Sequence, residues 1–411
     1  MNAPAPSRGW LLRLVIAFAF AHGAVSMARP AVSYHALALG ADARAVGVVA
    51  ALYALLPLVA AVPLGRRTDR GRCGPLLPLG VALIAAGCAL SGTAGSLWTL
   101  GVWSAVMGMG HLAFVIGAQS LVARQSAEGE HDRNFGHFTI GASLGQLVGP
   151  LLAGWLVGGG GASGAEGAAV AAGSGGPLDG ALALLVSGAL AVCGFASLWR
   201  IEDRAALART RDEADGEGGA VPVGRILRTR GVPAGIFTSL AVLSATDVLT
   251  AYLPVVGEAR DIAPPVVGAL LALRAGASVL SRLVLPPMSK WLGRQVLLVL
   301  SCVLGGALSV LLAVPVPVWA LALALLLLGF CLGVGQPLTM TTVVRAAPDG
   351  ARSTALALRL TGNRLGQVAA PAGAGLVAGV AGAAAPFVLL GVLLLGASGM
   401  AARARTEGGE A

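Results

Sequence analysis

The sequence predicts an all-α membrane protein with twelve transmembrane helices in two pseudo-symmetric six-helix bundles. Three observations support this fold class. The 411 residues are 56% hydrophobic and 11% charged, with a mean hydropathy of +0.82, whereas soluble chains carry about 25% charged residues. Twelve apolar segments are long enough to cross a bilayer. A motif from the first half of the chain returns in the second half.

The twelve apolar segments each contain about 20 residues, the length that a helix needs to cross the hydrocarbon core. They cover residues 10–29, 45–64, 76–94, 97–122, 139–158, 179–199, 232–254, 266–288, 295–314, 318–342, 354–378 and 383–402. The longest polar stretch follows the sixth segment. The chain therefore divides into an N-terminal bundle (1–199), a cytoplasmic linker (200–231) and a C-terminal bundle (232–411). The glycine-rich run 158–177 is expected to be a flexible external loop.

The internal repeat is clearest in the fifth and eleventh segments. The stretch LGQLVGPLLAG at 144–154 matches LGQVAAPAGAG at 365–375, with 6 of 11 positions identical. Membrane helices tolerate proline because neighbouring helices satisfy the freed carbonyls, and small residues let two backbones approach closely. The repeat indicates two similar halves; a coincidence between two segments rich in glycine and alanine is the alternative.

Basic residues in the loops predict the orientation. If the N-terminus is cytoplasmic, most arginines between the segments lie on the cytoplasmic side, and the opposite side receives Arg29, Arg44 and Arg260. This asymmetry is what the positive-inside rule requires. We therefore expect a multi-pass protein of the bacterial cytoplasmic (inner) membrane with both termini cytoplasmic.

A charged motif lies between the second and third segments. Gly65 is followed four residues later by Asp69 and Arg70, and then by Arg72. This pattern resembles the loop signature of the major facilitator superfamily (MFS) of secondary transporters, in which the loop pairs charges across the cytoplasmic gate. Arg72 departs from the signature, since a glycine is expected there. A merely basic cytoplasmic loop is the alternative, but it does not explain Asp69.

The fifth segment carries a second motif, formed by Gly145, Gly149, Pro150 and Gly154. It is similar to the helix-five signature of MFS exporters that exchange substrate for protons, with Ala153 in place of one glycine. Such a helix offers a smooth, bendable face to a partner helix, although ordinary close packing is the alternative.

The fourth segment departs from these exporters. They often carry an arginine four residues before a glycine, whereas here Ser104 precedes Gly108. The departure weakens the inference of proton exchange and leaves the inference of transport intact.

Ionisable residues inside a membrane are costly, so each one is a functional candidate. Asp247 and Arg274 lie at similar depths in the seventh and eighth segments, and we expect them to form a buried ion pair, either structural or responsive to protons and substrate. The eleventh segment carries Arg359, Asn363 and Arg364. Arg359 is shallow enough to snorkel towards the cytoplasm, whereas Arg364 should face a central cavity.

Histidine and glutamine complete the candidate set. His22 and His111 are candidates for proton transfer, because histidine titrates near physiological pH; hydrogen-bonded packing is the alternative for each. Gln336 occupies the position in the second half that is equivalent to His111. His137 and Gln146 belong to the same polar set.

These observations favour a secondary transporter that works by alternating access, with proton-coupled efflux of small organic molecules as the preferred function. Uptake symport or facilitated transport of a sugar or organic acid remains an alternative, and a polytopic membrane enzyme or receptor scaffold a lesser one. Three membrane arginines against one aspartate favour anionic or neutral substrates slightly. The expected partners are a small-molecule substrate, protons and the lipid bilayer. We expect a monomer that is not an enzyme and has no cofactor, metal or nucleic acid.

Overall fold

The computed structural model describes residues 9–70, 75–126, 131–158, 177–198, 201, 223–229, 231–347 and 352–406. Twelve long helices run through this part of the chain. They are α1 (Gly9–Ala38), α2 (Ala43–Arg70), α3 (Leu76–Gly92), α4 (Leu97–Gln125), α5 (His131–Val157), α6 (Pro177–Cys193), α7 (Val232–Ala259), α8 (Pro264–Leu292), α9 (Arg294–Ala313), α10 (Val318–Ala346), α11 (Arg352–Ala381) and α12 (Ala385–Thr406). A 3-10 turn at Phe195–Leu198 and a linker helix at Val223–Arg228 complete the secondary structure.

The predicted all-α membrane fold is confirmed. Ten of these helices contain an apolar stretch long enough to cross a membrane. The two others are α3, which is apolar but only 17 residues long, and α11, which carries several arginines. The sixth span, Gly180–Leu198, begins in α6 and continues through the 3-10 turn that follows it. Each of the twelve helices coincides with one of the twelve predicted segments.

Several helices extend well beyond the predicted segments. The first segment was expected to end at residue 29, but α1 continues through Pro30 to Ala38. The fifth was expected to begin at 139, but α5 begins at His131. Hydropathy marks the lipid-facing stretch, whereas backbone hydrogen bonding decides where a helix ends. Arg29 was therefore wrongly placed in an external loop, because it lies inside α1.

The helices pack in two groups. Among the first six, α1 packs on α5 and α6, and α4 packs on α2 and α3; among the last six, α7 packs on α10, α11 and α12, and α8 packs on α10. The linker helix contributes Ile226 to a small cluster with Val343 of α10 and Ala355 of α11. We call the side of the bundle where α1 begins and α12 ends the terminal face, and the other side the opposite face.

The repeated motif has the same packing role in both groups. In α5, Gly145 lies against Gly23 of α1, and Gly154 lies against Gly268 of α8. In α11, the equivalent Gly366 lies against Leu240 and Ser244 of α7, and Gly375 lies against Gly47 of α2. In each copy the first glycine packs within its own group and the last glycine packs on the other group. The structure thus supports a true repeat.

The two groups meet near the opposite face. A Cβ atom added at Gly154 would lie 2.5 Å from the carbonyl oxygen of Pro264, and one added at Gly47 would lie 2.6 Å from that of Pro371. The Tyr252 hydroxyl donates a hydrogen bond to the Ala43 carbonyl (2.9 Å). The Arg44 guanidinium donates one to the Gly379 carbonyl (2.9 Å). Backbones in such close contact close this face.

Within the described helices, the two groups pack on each other mainly through α2 on α11 and α5 on α8, whereas α4 and α11, and likewise α5 and α10, are not packed against each other.

Candidate functional site

An ion pair joins the two groups of helices near the middle of the bundle. Arg29 Nη1 of α1 lies 2.6 Å from Asp247 Oδ1 of α7, and the Asp247 side chain is 4% exposed. Removing one partner of such a buried pair costs about 3–5 kcal/mol, because the other charge is left uncompensated. The second carboxylate oxygen, Oδ2, is buried without a hydrogen-bond partner. Asp247 therefore has an acceptor left for a proton or a ligand.

The predicted Asp247–Arg274 pair is wrong. Asp247 pairs with Arg29 instead, because α1 remains helical past Pro30 and packs directly on α7. Arg274 is 6% exposed and its Nε is buried without a hydrogen-bond partner. It interacts electrostatically with Arg29 and Asp247. Arg274 is thus a second buried cation beside the pair.

Four side chains from four helices form a hydrogen-bonded chain beside this pair. The Tyr53 hydroxyl lies 2.6 Å from His111 Nδ1. His111 Nε2 lies 3.1 Å from His22 Nδ1, and His22 Nε2 lies 3.1 Å from Gln146 Nε2. Both ring nitrogens of both histidines are therefore engaged. We call these four residues the His–Tyr chain.

The His–Tyr chain can be protonated in two equivalent ways. In one, the Gln146 amide donates to His22, His22 donates to His111, and His111 donates to the Tyr53 oxygen. In the other, every donor and acceptor is reversed after the glutamine amide turns over. Each arrangement satisfies every ring nitrogen. A proton can therefore move along the chain one hydrogen bond at a time.

The His–Tyr chain and the ion pair are in contact. The Arg29 guanidinium lies over the Tyr53 ring, 5.2 Å from its centroid, at the distance of a cation–π interaction. Tyr53 is 6% exposed and links His111 to Arg29. The sequence holds one cue to this role, because Tyr53 and Arg29 both interrupt long apolar runs.

The polar residues of α11 divide between two environments. Arg359 donates hydrogen bonds to the Gln336 carbonyl (3.3 Å), the Gln336 side-chain oxygen (3.4 Å) and the Thr339 hydroxyl (3.3 Å). It is anchored on α10. Asn363, one turn along α11, is 6% exposed, with Oδ1 buried and without a partner.

Arg364 lies nearer the centre of the bundle than Arg359. Its Nη1 donates to Gln367 Oε1 (2.7 Å), and it interacts electrostatically with Tyr53 and Asp247. The structure therefore brings Arg364, Arg274, Asp247, His22 and His111 into one central region. Arg359, Asn363 and Gln336 form a neighbouring set.

A small pocket adjoins the ion pair on the side of the opposite face. It is lined by residues of α1, α2, α4 and α7, including Arg29, Ser33, Tyr53 and Ser104. Ser104 stands where the resemblance described above led us to look for an arginine. In this chain a guanidinium reaches the same pocket from α1 instead.

The two sequence motifs are placed differently. Gly65, Asp69 and Arg70 belong to the last turns of α2, but their side chains, like Arg72 as a whole, lie outside the described residues. The helix-five motif is fully described. A Cβ atom added at Gly149 would lie 2.8 Å from the Met27 backbone nitrogen, and the Pro150 carbonyl faces Gly268. This face of α5 contacts α1 on one side and α8 on the other.

Among the described residues, no group of three or more histidine, cysteine, aspartate or glutamate side chains is arranged to hold a metal ion. The four described cysteines are all free thiols. The polar groups at the centre are those suited to binding charged solutes and protons.

A family model of the Major Facilitator Superfamily matches residues 14–318 and 260–409. Among solved structures, the nucleoside transporter NupG is 13% identical, with 97% of this chain and 98% of its own covered, and superposes with a TM-score of 0.72. A POT family transporter in complex with 5-aminolevulinic acid is 13% identical, with 94% of each chain covered and a TM-score of 0.73. No curated protein sequence matches.

A third structure resembles this one in its overall fold. It is a bacterial homolog of the human lysosomal transporter Spinster, in an inward-facing and occupied conformation. It is 14% identical, with 99% of this chain and 98% of its own covered, and has a TM-score of 0.71. At such identities the likeness concerns the fold.

Proposed function

Because the chain belongs to the Major Facilitator Superfamily, we propose that it is a proton-coupled secondary transporter that exports small organic molecules by alternating access. It is a multi-pass membrane transporter and not an enzyme. The proposal concerns the coupling ion, the direction of transport, the orientation in the bacterial inner membrane and the residues involved.

The observation that carries the proposal is the Arg29–Asp247 ion pair, which connects α1 to α7 across the two groups of helices. Alternating access requires these groups to move relative to each other. Protonation of Asp247 removes its charge and leaves Arg29 without a partner, so the link between the groups weakens. One proton thereby biases the equilibrium between the two states.

The His–Tyr chain gives the proton a second place beside the pair. His22 and His111 are the groups of this network whose side-chain type can take up a proton on a ring nitrogen, and Tyr53 joins them to Arg29. A positive charge on His111 repels the Arg29 guanidinium across the Tyr53 ring. Protonation of this chain and opening of the ion pair therefore favour each other.

Two features support the direction of export. The helix-five motif resembles that of exporters, and its glycines form the contact of α5 with both α1 and α8. The pocket that contains Ser104, where exporters often carry an arginine, is also lined by Arg29. A guanidinium paired with an acid is therefore available at this place, as the export proposal requires.

Uptake by proton symport is the second candidate, and the surplus of arginines around Asp247 favours it. If the substrate is an anion, it and the Asp247 carboxylate attract the same guanidinium groups. Anion binding and protonation of Asp247 then favour each other, which is the behaviour of a symporter. The measured sign of the proton change on substrate binding separates the two candidates.

The test uses purified full-length protein in proteoliposomes with a pH-sensitive dye inside and an imposed pH gradient. Candidate solutes are added on one side, and proton flux and solute flux are recorded together. Export by exchange predicts that protons and solute move in opposite directions. Movement in the same direction would establish symport, and solute flux that is independent of the gradient would overturn proton coupling.

Asp247→Asn is the decisive variant in this assay, and Glu258→Gln is its control. Glu258 is another acid of α7, but it lies at the end of that helix, far from the pair. The proposal predicts that gradient-driven flux is lost in Asp247→Asn and retained in Glu258→Gln. Equal loss in both variants would show that α7 tolerates no loss of charge and would remove the specific role of Asp247.

A further inference from the structure

The centre of the bundle carries far more positive than negative charge. Four arginines and one aspartate are buried or half-buried and lie seven or more residues from the ends of the described helices. They are Arg29, Arg274, Arg359 and Arg364, with Asp247 as the acid. Asp247 is already paired with Arg29, and the three other arginines have no carboxylate within salt-bridge distance among the described residues.

We propose that the transported molecule is a small organic anion, held by the guanidinium groups of Arg274 and Arg364 beside the Arg29–Asp247 pair. This inference rests on the proton-coupled transport proposed above and adds the substrate class; by the argument given there, an anionic substrate favours the symport candidate over exchange. A buried charge is stable only if it is paired and hydrogen-bonded. In an empty site the protein bears that cost, and a bound anion offsets it.

Arg274 is the stronger of the two ligands. Its side chain is deeply buried, as its 6% exposure shows, and Nε has no hydrogen-bond partner. The backbone of Arg274 packs against Gly329 of α10, and this contact fixes the position of the Arg274 Cα. A guanidinium offers five donors in a rigid fork that suits carboxylate and phosphate oxygens. An anionic oxygen can accept a hydrogen bond from the unused Nε–H of Arg274.

Arg364 approaches the same region from α11. It is half-buried, and Gln367 accepts a hydrogen bond from only one of its nitrogens, Nη1. Arg364 interacts electrostatically with Asp247, as Arg274 does. The two guanidinium groups therefore lie on different helices of the second group and act on the same carboxylate.

A cationic substrate fits this site poorly. Within the described helices its natural partner is Asp247, whose charge is already compensated at 2.6 Å by Arg29. Arg274 and Arg364 would repel such a cation. A neutral substrate would leave both cations unpaired.

The test is thermal unfolding of the detergent-purified full chain with succinate, benzoate and glycerol 3-phosphate. The matched uncharged compounds are succinamide, benzamide and glycerol, and tetraphenylphosphonium is the cationic probe. A ligand that binds the native state raises the apparent Tm as its occupancy grows. We expect at least one of the anions to raise Tm in a saturable way, and the uncharged compounds and the cation to have no such effect.

Variants assign the effect to the site. Arg364→Gln and Arg274→Gln should weaken anion binding about tenfold or more, since each removes a charged hydrogen-bonding partner. Arg274→Lys keeps the charge and serves if Arg274→Gln does not fold; it should retain weaker binding. Lys290→Gln removes a positive charge near the end of α8, away from the centre, and should leave binding unchanged.

The outcomes separate this proposal from the transport function. The anion site would be overturned if no anion raised Tm. It would also be overturned if the anions raised the Tm of Arg274→Gln and Arg364→Gln as much as that of the wild type. A shift with tetraphenylphosphonium alone, accompanied by proton release, would overturn it while proton-coupled exchange stands. An anion shift that is lost in both variants supports the site even if no proton moves, and the absence of proton movement would then count against coupling alone.

Discussion

Arg29 of α1 and Asp247 of α7 form a buried ion pair, with 2.6 Å between Nη1 and Oδ1, at the boundary between the first six and the last six helices. The pair is held within one group by a cation–π contact with Tyr53. On the other side, Asp247 is flanked by Arg274 and Arg364. Its position makes it both a link between the groups and the acid best placed to respond to protons.

The pair should appear in the free energy of unfolding. Arg29→Gln and Asp247→Asn should each destabilise the protein by about 3–5 kcal/mol, because each leaves one buried charge unpaired. The double variant should recover part of that loss, and the coupling energy is measured by a double-mutant cycle of denaturation midpoints.

Arg274 provides the matched control for this cycle. It carries the same charge near the same carboxylate, but it does not contact it within salt-bridge distance. The Arg274–Asp247 coupling should therefore be clearly smaller than the Arg29–Asp247 coupling. A larger value for Arg274 would contradict the pairing that the structure shows.

Gly47 should control whether the opposite face can close. A Cβ atom there would collide with the Tyr252 hydroxyl and approach the Gly375 Cα to 2.8 Å, and overpacking of this kind costs about 1–3 kcal/mol. Gly47→Ala should therefore favour the conformation that is open on the opposite face. The measurement is the labelling rate of a Ser33→Cys probe by a membrane-impermeant maleimide, in a Cys193→Ser background.

Ser33 is 3% exposed in the pocket beside Arg29, so the probe is protected while the opposite face is closed. The rate should rise about tenfold or more in Gly47→Ala, in line with that overpacking cost. Gly396→Ala is the control, because a Cβ atom at Gly396 meets nothing within 4 Å. An equal rate in Gly47→Ala and the wild type would show that this contact does not hold the face closed.

Tyr53 should affect proton coupling more than stability. Tyr53→Phe keeps the ring beneath Arg29 and removes the hydroxyl that contacts His111. Loss of that hydrogen bond should cost only about 1 kcal/mol of stability. We expect the pH dependence of transport to change while downhill exchange of solute continues.

His22→Gln and His111→Gln should change that pH dependence in the same way as Tyr53→Phe, since all three residues belong to the His–Tyr chain. The measurement is the exchange rate and the gradient-driven rate, each recorded from about pH 8 down to well below the usual histidine pKa of about 6.5. His137→Gln is the control, because His137 is exposed on α5 and is not part of the His–Tyr chain. An unaltered pH profile in all three variants would limit His22 and His111 to packing.

Arg359 should be anchored rather than free to snorkel. Its three contacts with Gln336 and Thr339 tie α11 to α10. Arg359→Ala should therefore lower stability by about 1–3 kcal/mol, the cost of leaving buried acceptors unsatisfied. Unchanged thermal stability would favour a side chain that reaches the solvent and makes no lasting contact.

The sequence predicts the membrane fold well because apolar length and the repeat are direct consequences of the bilayer and of close helix packing. The glycines at 154 and 375 were singled out from the sequence, and each contacts the other group of helices. Asp247 was also identified from the sequence alone, since an acid inside an apolar segment is too costly to persist without a partner or a function.

The partner of Asp247 could not be predicted in the same way. Arg29 precedes Pro30, and an Arg-Pro pair at the end of an apolar run indicates a helix end in the absence of tertiary structure. The helix continues because neighbouring helices stabilise it. Likewise, the contact of Tyr53 with His111 depends on the rotation of α2 and α4 about their axes, which apolar composition does not determine.

The most direct test of the ion pair's central role is the gradient-driven flux of Asp247→Asn, compared with its solute exchange at zero gradient in the same proteoliposomes. A neutral side chain at 247 cannot bind and release the coupling proton. We predict that exchange continues while a pH gradient no longer drives net solute movement. Gradient-driven accumulation by Asp247→Asn at the wild-type level would contradict the central role of the Arg29–Asp247 pair.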